Sequence, residues 1–104
     1  MERGKRSRLQ AAGWKVGSAA NFLDLSPKDA LLIDIRARLA SALAARRAKK
    51  QITQTELARR IQSSQSRVAK MEAADASVSL DLLIRSLLAL GATRKDLATA
   101  IAGK

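Results

Sequence analysis

The stretch QTELARRIQSSQSRVAKME, from Gln54 to Glu72, decides the reading of this chain. It reads as two short helices joined by a tight turn. Ser64 is placed to cap a second helix running from Gln65 to about Ala73. With Gln65 at 0° and about 100° per residue, Ala69 falls near about 40°, Ser66 near about 100° and Lys70 near about 140°. Met71 falls near about 240° and Val68 near about 300° on the same wheel. The two apolar side chains share one face, and Gln65, Ser66, Ala69 and Lys70 share the other, with Arg67 on the flank. A short polar helix braced by another helix has the size of the DNA major groove. Glutamine can pair bidentately with adenine, serine can take either role, and lysine can reach guanine or phosphate. The plainer reading is a helical hairpin in a small bundle with a solvated outer face.

The first helix supports the groove reading. Thr53 and Glu56 form a T-x-x-E capping box, which starts the helix at about Gln54. Leu57 and Ile61 lie four apart and face inward. Ala58 sits where a larger side chain would push the two helices apart.

On these residues the sequence resembles the Cro/C1-type helix-turn-helix family, also called xenobiotic-response-element-like (XRE). The resemblance covers roughly residues 33–101. It rests on the ITQTELA opening, the SSQSRVAKME helix and the SLDLLIRSLLALG helix that follows. It implies that Gln54 contacts a phosphate and braces Gln65, and that Gln65 and Ser66 read base edges. It further implies that Arg67 and Lys70 touch bases or backbone, with Thr55 and Ser64 completing the DNA-facing set. Two positions depart from the family pattern. Gln62 stands at the turn where the family usually has Gly, and a left-handed non-Gly residue costs roughly 1 kcal/mol. The loop after the second helix, EAADASVS, carries Ala74 and Ala76 where Gly, often with Pro, is usual.

Composition agrees. The 104 residues suffice for one domain with a modest core. Twenty Lys and Arg stand against nine Asp and Glu, a formal charge of +11. From Arg36 to Lys70 there are ten basic residues and one acid, Glu56. A basic block over a groove-sized motif is the electrostatic footprint of a nucleic-acid binder. With neither Cys nor His there is no disulfide, no thiol nucleophile, no imidazole base and no metal site built on them. No pair of acids sits in an apolar pattern suited to acid–base catalysis, so no enzyme, cofactor or metal is expected. No run approaches a membrane span, and no secretory signal is recognisable, so a cytoplasmic bacterial protein is expected.

The expected fold is all-α: a five-helix, lambda-repressor-like domain over 26–104. A basic tail and a short lead-in helix are expected over 1–25. Ser26-Pro27 opens a long helix to about Lys49, with Leu32, Ile35, Leu39 and Leu43 as its buried stripe. Arg46, Arg47, Lys49 and Lys50 at its end suit the helix dipole, and they also suit phosphate contact, above all Arg46 and Lys50. Ser79 caps a fourth helix to about Leu90, with Leu80, Leu83, Ile84 and Leu87 inward and Gly91 as the stop. Thr93 and Asp96 stand in capping relation for a fifth, from about Arg94 to Ala102, with Leu97 and Ile101 as its apolar edge.

One helix-turn-helix reads few base pairs, so a two-fold homodimer on a palindromic operator in double-stranded DNA is the physical expectation. The whole chain most resembles HigA-type antitoxins, through GWKVGSAANFLDLS and the block from SSQSRVAKME to LLALGA. That resemblance implies repression of its own operon and binding of a RelE/ParE-fold (HigB-type) toxin. The alternative is a phage-type or stand-alone XRE repressor with no toxin. Trp14, Val16, Phe22 and Leu23 concentrate apolar surface ahead of the domain. They either pack on the long helix or dock the toxin. RNA binding is disfavoured by the shortage of aromatic stacking platforms. A protein-only scaffold is disfavoured by Arg67, Lys70 and the basic block.

Overall fold

The computed structural model describes residues 26–103. The tail and lead-in helix expected over 1–25, with Trp14, Phe22 and Leu23, lie outside the described residues. Those described residues hold five helices and no strand: α1 Pro27–Lys49, α2 Gln54–Arg60, α3 Gln65–Glu72, α4 Leu80–Ala89 and α5 Arg94–Ala102. The chain divides into two units, Met1–Asp34 and Ile35–Lys104.

In the first unit, Ser26 caps α1. Its Oγ accepts from the Asp29 N–H at 3.1 Å and donates to Asp29 Oδ2 at 3.0 Å. Pro27 takes the first helical position, where an N–H would have no partner. The stripe expected to be buried along α1 does not reach this far. Leu32 is 46% exposed, and Leu31 and Ile33 beside it are exposed as well. Leu39, the first fully buried leucine of the helix, is seven residues on, about 10 Å along the axis. Leu32 is thus two turns short of the buried stretch.

In the second unit, Leu39, Ala40 and Leu43 of α1 meet Leu57 and Ala58 of α2, Val68 and Met71 of α3, and Leu83 and Leu87 of α4. Val78, Leu90 and Ala92 from the connections close this core, and Ile35, Ile61, Leu80, Ile84 and Leu97 pack at its margin. Fully burying each leucine or valine contributes about 1.5–3 kcal/mol. Ser86 is buried among them, where the sequence stripe had no inward residue. Its Oγ donates to the Leu82 carbonyl at 2.8 Å, so the hydroxyl is satisfied within its own helix.

The helix starts follow the sequence closely. Thr53, Ser64, Ser79 and Thr93 are the four N-caps of α2 to α5. Thr93 and Asp96 form a complete capping box. The box expected at Thr53 is half formed. The Thr53 hydroxyl accepts from the Glu56 N–H at 3.0 Å, but the Glu56 carboxylate turns to Arg59 and Arg60. Two guanidiniums within one turn outbid a single backbone N–H.

The ends of α1 to α4 share one geometry. In each, a residue at positive φ donates to the carbonyl three back, and the next N–H reaches the carbonyl five back. The bonds are Gln51 to Ala48 and Ile52 to Arg47, Gln62 to Arg59 and Ser63 to Ala58, Ala74 to Met71 and Asp75 to Lys70, and Gly91 to Leu88 and Ala92 to Leu87. This is the Schellman termination, which favours glycine at its left-handed position. Gly91 is the glycine of the set, with φ +89°; Gln51, Gln62 and Ala74 hold φ of +59°, +57° and +59°. Gln62, at the turn where the resemblance implies Gly, and Ala74, in the loop after α3, therefore hold the left-handed backbone without a glycine.

Candidate nucleic-acid interface

The turn from Ile61 to Ser64 sets α3 across α2 as a helix-turn-helix. Ala58, 3% exposed, lies at this crossing and leaves room for the α3 backbone. Val68 and Met71 are fully buried, while Gln65, Ser66, Arg67 and Lys70 are exposed. The division expected from the helical wheel is therefore observed for these residues, while Ala69, expected on the exposed face, is half-buried. Ser64 Oγ accepts from the Arg67 N–H at 3.1 Å and lies 3.2 Å from Ser66 Oγ.

Behind this face runs a chain of side-chain hydrogen bonds. Gln65 Nε2 donates to Gln54 Oε1 at 2.6 Å. Gln54 Nε2 donates to Glu72 Oε1 at 3.0 Å. Arg47 grips the same carboxylate with a two-bond fork, Nε to Oε2 at 2.6 Å and Nη2 to Oε1 at 3.0 Å. Its Nη1 donates to the Ile52 carbonyl at 2.9 Å, so the guanidinium also fastens the link between α1 and α2. The side chains of Arg47 and Glu72 are 20% and 8% exposed. Burial opposes ionisation of Glu72, yet the hydrogen bonds from Arg47 and Gln54 hold its carboxyl below the ordinary glutamate value. The same bonds to Glu72 hold the Arg47 guanidinium above its ordinary value.

The front of the site is a polar cleft of about 300 Å³ lined by Ser64, Ser66, Arg67 and Lys70 of the α3 region and by Ser77 and Val78 of the next loop. Arg36 Nε donates to the Val78 carbonyl at 3.2 Å, and the Ser77 N–H donates to Asp75 Oδ1 at 2.8 Å. These bonds fix the loop wall. The Ser77 hydrogen bonds, backbone first, lower the Asp75 carboxyl below its usual range.

Of the residues expected to face DNA, the structure brings Gln54, Ser64, Gln65, Ser66, Arg67 and Lys70 together around α3. Thr55 is exposed in the first turn of α2. Arg46 and Lys50 line a different surface, a groove of about 630 Å³ between α1 and α5 floored by Ala42, Leu87, Leu97 and Ala100. Arg46 pairs there with Asp96 at 3.1 Å. Arg47, grouped with them in the sequence, is committed to Glu72. Glu72 itself was not singled out by sequence reasoning. The signal was present: the same wheel puts it at about 340°, beside Gln65.

A family model described as a helix-turn-helix domain matches residues 21–95. The chain belongs to the helix-turn-helix domain family. Its role is accordingly that of a DNA-binding regulator. No curated protein and no solved structure matches the chain. Among the described residues, no helix is long and apolar enough to cross a membrane.

Proposed function

We propose that this helix-turn-helix protein is a sequence-specific repressor, cytoplasmic and non-enzymatic, that binds a palindromic operator as a two-fold dimer. Gln65 and Ser66 read base edges, and Arg67 and Lys70 hold bases or phosphates. Gln54 braces Gln65 and gives its remaining N–H to a phosphate. The observation that carries this reading is the exposed polar face of α3, organised from behind by hydrogen bonds that a merely solvated surface would not require. The polar cleft of Arg67, Lys70, Ser64 and Ser66 beside it suits an anionic backbone.

The more specific reading is an antitoxin that represses its own operon and binds a RelE/ParE-fold toxin. It is supported by the resemblance of residues 13–26 and 63–92 to HigA-type antitoxins. Trp14, Phe22 and Leu23 are the candidate toxin contacts. A stand-alone repressor would share the DNA face and take no toxin.

Gel-shift titration against the chain's own upstream DNA, a random duplex and an RNA of equal length tests the first reading. Preference for the upstream duplex is expected, and equal affinity for all three would overturn it. Co-expression with the adjacent small reading frame tests the second. Co-purification that is lost on truncation before Ser26 is the expected result. Capture by the truncated chain would move the contact away from Trp14, Phe22 and Leu23.

A further inference from the structure

We propose that Glu72, which stands behind the DNA face and touches no DNA, is a positioning residue that fixes the polarity of the Gln65 amide, and so lets the protein distinguish A·T from T·A at one operator position. The inference rests on the reading of Gln65 as a base-contacting residue.

The argument is one of donors and acceptors. A glutamine amide has two ends of nearly equal size, one donating and one accepting, and by itself it can turn either way. An ionised carboxylate only accepts. Glu72 is held ionised by the Arg47 fork, so the end of Gln54 that faces it must be the NH₂. The 3.0 Å bond from Gln54 Nε2 to Glu72 Oε1 has this sense. With its NH₂ turned inward, Gln54 presents Oε1 outward. Only a donor can satisfy that oxygen, and Gln65 supplies Nε2 at 2.6 Å. Gln65 then has its oxygen and its second N–H left over, in a fixed order along the groove. An adenine edge offers the complementary pair, with N6–H₂ donating and N7 accepting. Exchanging A·T for T·A reverses the order in which these groups lie across the groove. An amide of fixed polarity therefore prefers one orientation of the pair, and an amide free to turn accepts both. The direction originates in the one member of the relay that cannot reverse its role. Arg47 supports it by keeping the carboxylate charged and by fixing its plane with two bonds.

The test is base-preference selection from a randomised duplex library, followed by binding titration of the selected site and its single A·T to T·A exchange. The wild-type chain is expected to discriminate the two by tenfold or more, roughly the low end of a good bidentate contact. Glu72→Gln replaces the accept-only group with an amide that can itself turn, and Gln54→Met removes the relay while leaving the Arg47–Glu72 pair intact. Both variants are expected to bring the A·T to T·A ratio to within about threefold, while affinity for random duplex does not fall in Glu72→Gln, which removes a negative charge. Loss of a phosphate contact at Gln54 would lower both affinities together and leave the ratio unmoved. If Glu72→Gln does not fold, the Arg47→Met, Glu72→Gln double variant strands no charge and carries the same forecast. A ratio that survives in either the Glu72 or the Gln54 variant overturns the relay alone. A wild-type chain that selects no site overturns the relay together with the base-reading role of Gln65.

Discussion

Replacing Gln51 and Gln62 by glycine should stabilise the protein, although neither substitution adds a contact. Both residues occupy the left-handed position of a Schellman termination, at φ +59° and +57°. There an L side chain brings Cβ against the following carbonyl oxygen, at roughly 1–2 kcal/mol per residue. Both are exposed, so truncation forfeits little burial. Against the gain stands the greater freedom of glycine in the unfolded chain, about 0.5–1 kcal/mol. The net expectation is a gain of about 0.5–1 kcal/mol at each position. The two sites end different helices and share no hydrogen-bond partner, so the double variant should gain about 1–2 kcal/mol. For a domain of this size, each kcal/mol raises the thermal midpoint by about 4–8 °C. Ala74 is the internal control. It has the same φ but is half-buried against the core, so losing its methyl cancels part of the gain, up to about 0.8 kcal/mol. Gly91 supplies the reverse experiment. A Cβ there would meet only Lys50 Nζ, at 4.0 Å, so Gly91→Ala should lose about 1 kcal/mol through backbone strain alone. Urea and thermal unfolding followed by circular dichroism read all five variants. A lowered midpoint for Gln51→Gly or Gln62→Gly, or an unchanged one for Gly91→Ala, would refute the reasoning.

Three further outcomes are expected. Gln65→Ala should weaken operator binding by about 1–3 kcal/mol and leave random-duplex affinity nearly unchanged; equal loss on both would remove Gln65 from base reading. A dimer that neutralises about 6–10 phosphates should lose roughly 10³–10⁵ in affinity between about 50 and 200 mM salt. Arg67→Gln should reduce the slope by about two, one per protomer, whereas an unchanged slope for Arg46→Gln would assign Arg46 to the α1–α5 groove and its Asp96 partner. Acid titration should show the Arg47–Glu72 pair. The folded Glu72 carboxyl lies below its ordinary value, so its stabilisation is complete above the unfolded value, about 4.3, and is lost as pH falls through the lower folded value. Glu72→Gln should therefore lower stability at neutral pH, by leaving the Arg47 guanidinium without its partner, and flatten the acid limb of the stability curve; an acid limb as steep as wild type would place the loss on other carboxylates.

The features legible in the sequence were the ones that act within a few residues. Ser64, Ser79 and Thr93 announce helix starts because a side chain reaches its own N3 backbone. Pro27 and Gly91 announce limits through φ alone. The split of α3 into a buried and an exposed face follows from helical period. What escaped is set by competition or by distance. Glu56 was expected to close a capping box, but Arg59 and Arg60 claim its carboxylate. Leu32 continues the α1 pattern, but the period alone does not say which turns of a long helix are buried. Arg47 was one of four basic residues at a helix end, with nothing local to separate it from Arg46. Its partner is 25 positions away, and only the folding of α3 over α1 tells the two arginines apart.

The Arg47–Glu72 pair also resolves an electrostatic difficulty that the sequence poses. In a chain of formal charge +11, a carboxylate directly behind the proposed DNA face would weaken the attraction on which non-specific affinity depends. A neutral side chain at position 72 would avoid that, but it could not dictate which end of Gln54 faces it. The observed arrangement separates the two properties of the carboxylate. Its charge is matched at 2.6 Å by a guanidinium that lies behind it and is itself mostly buried. Its inability to donate is left uncompensated and passes outward through Gln54 to Gln65. Arg47→Lys tests this division. A single ammonium can balance the charge but cannot reproduce the two-bond fork and the Ile52 contact together. Non-specific affinity and its salt slope should therefore survive Arg47→Lys, while the A·T to T·A discrimination falls as the carboxylate plane loosens. Discrimination that survives Arg47→Lys would overturn the orienting role of Arg47.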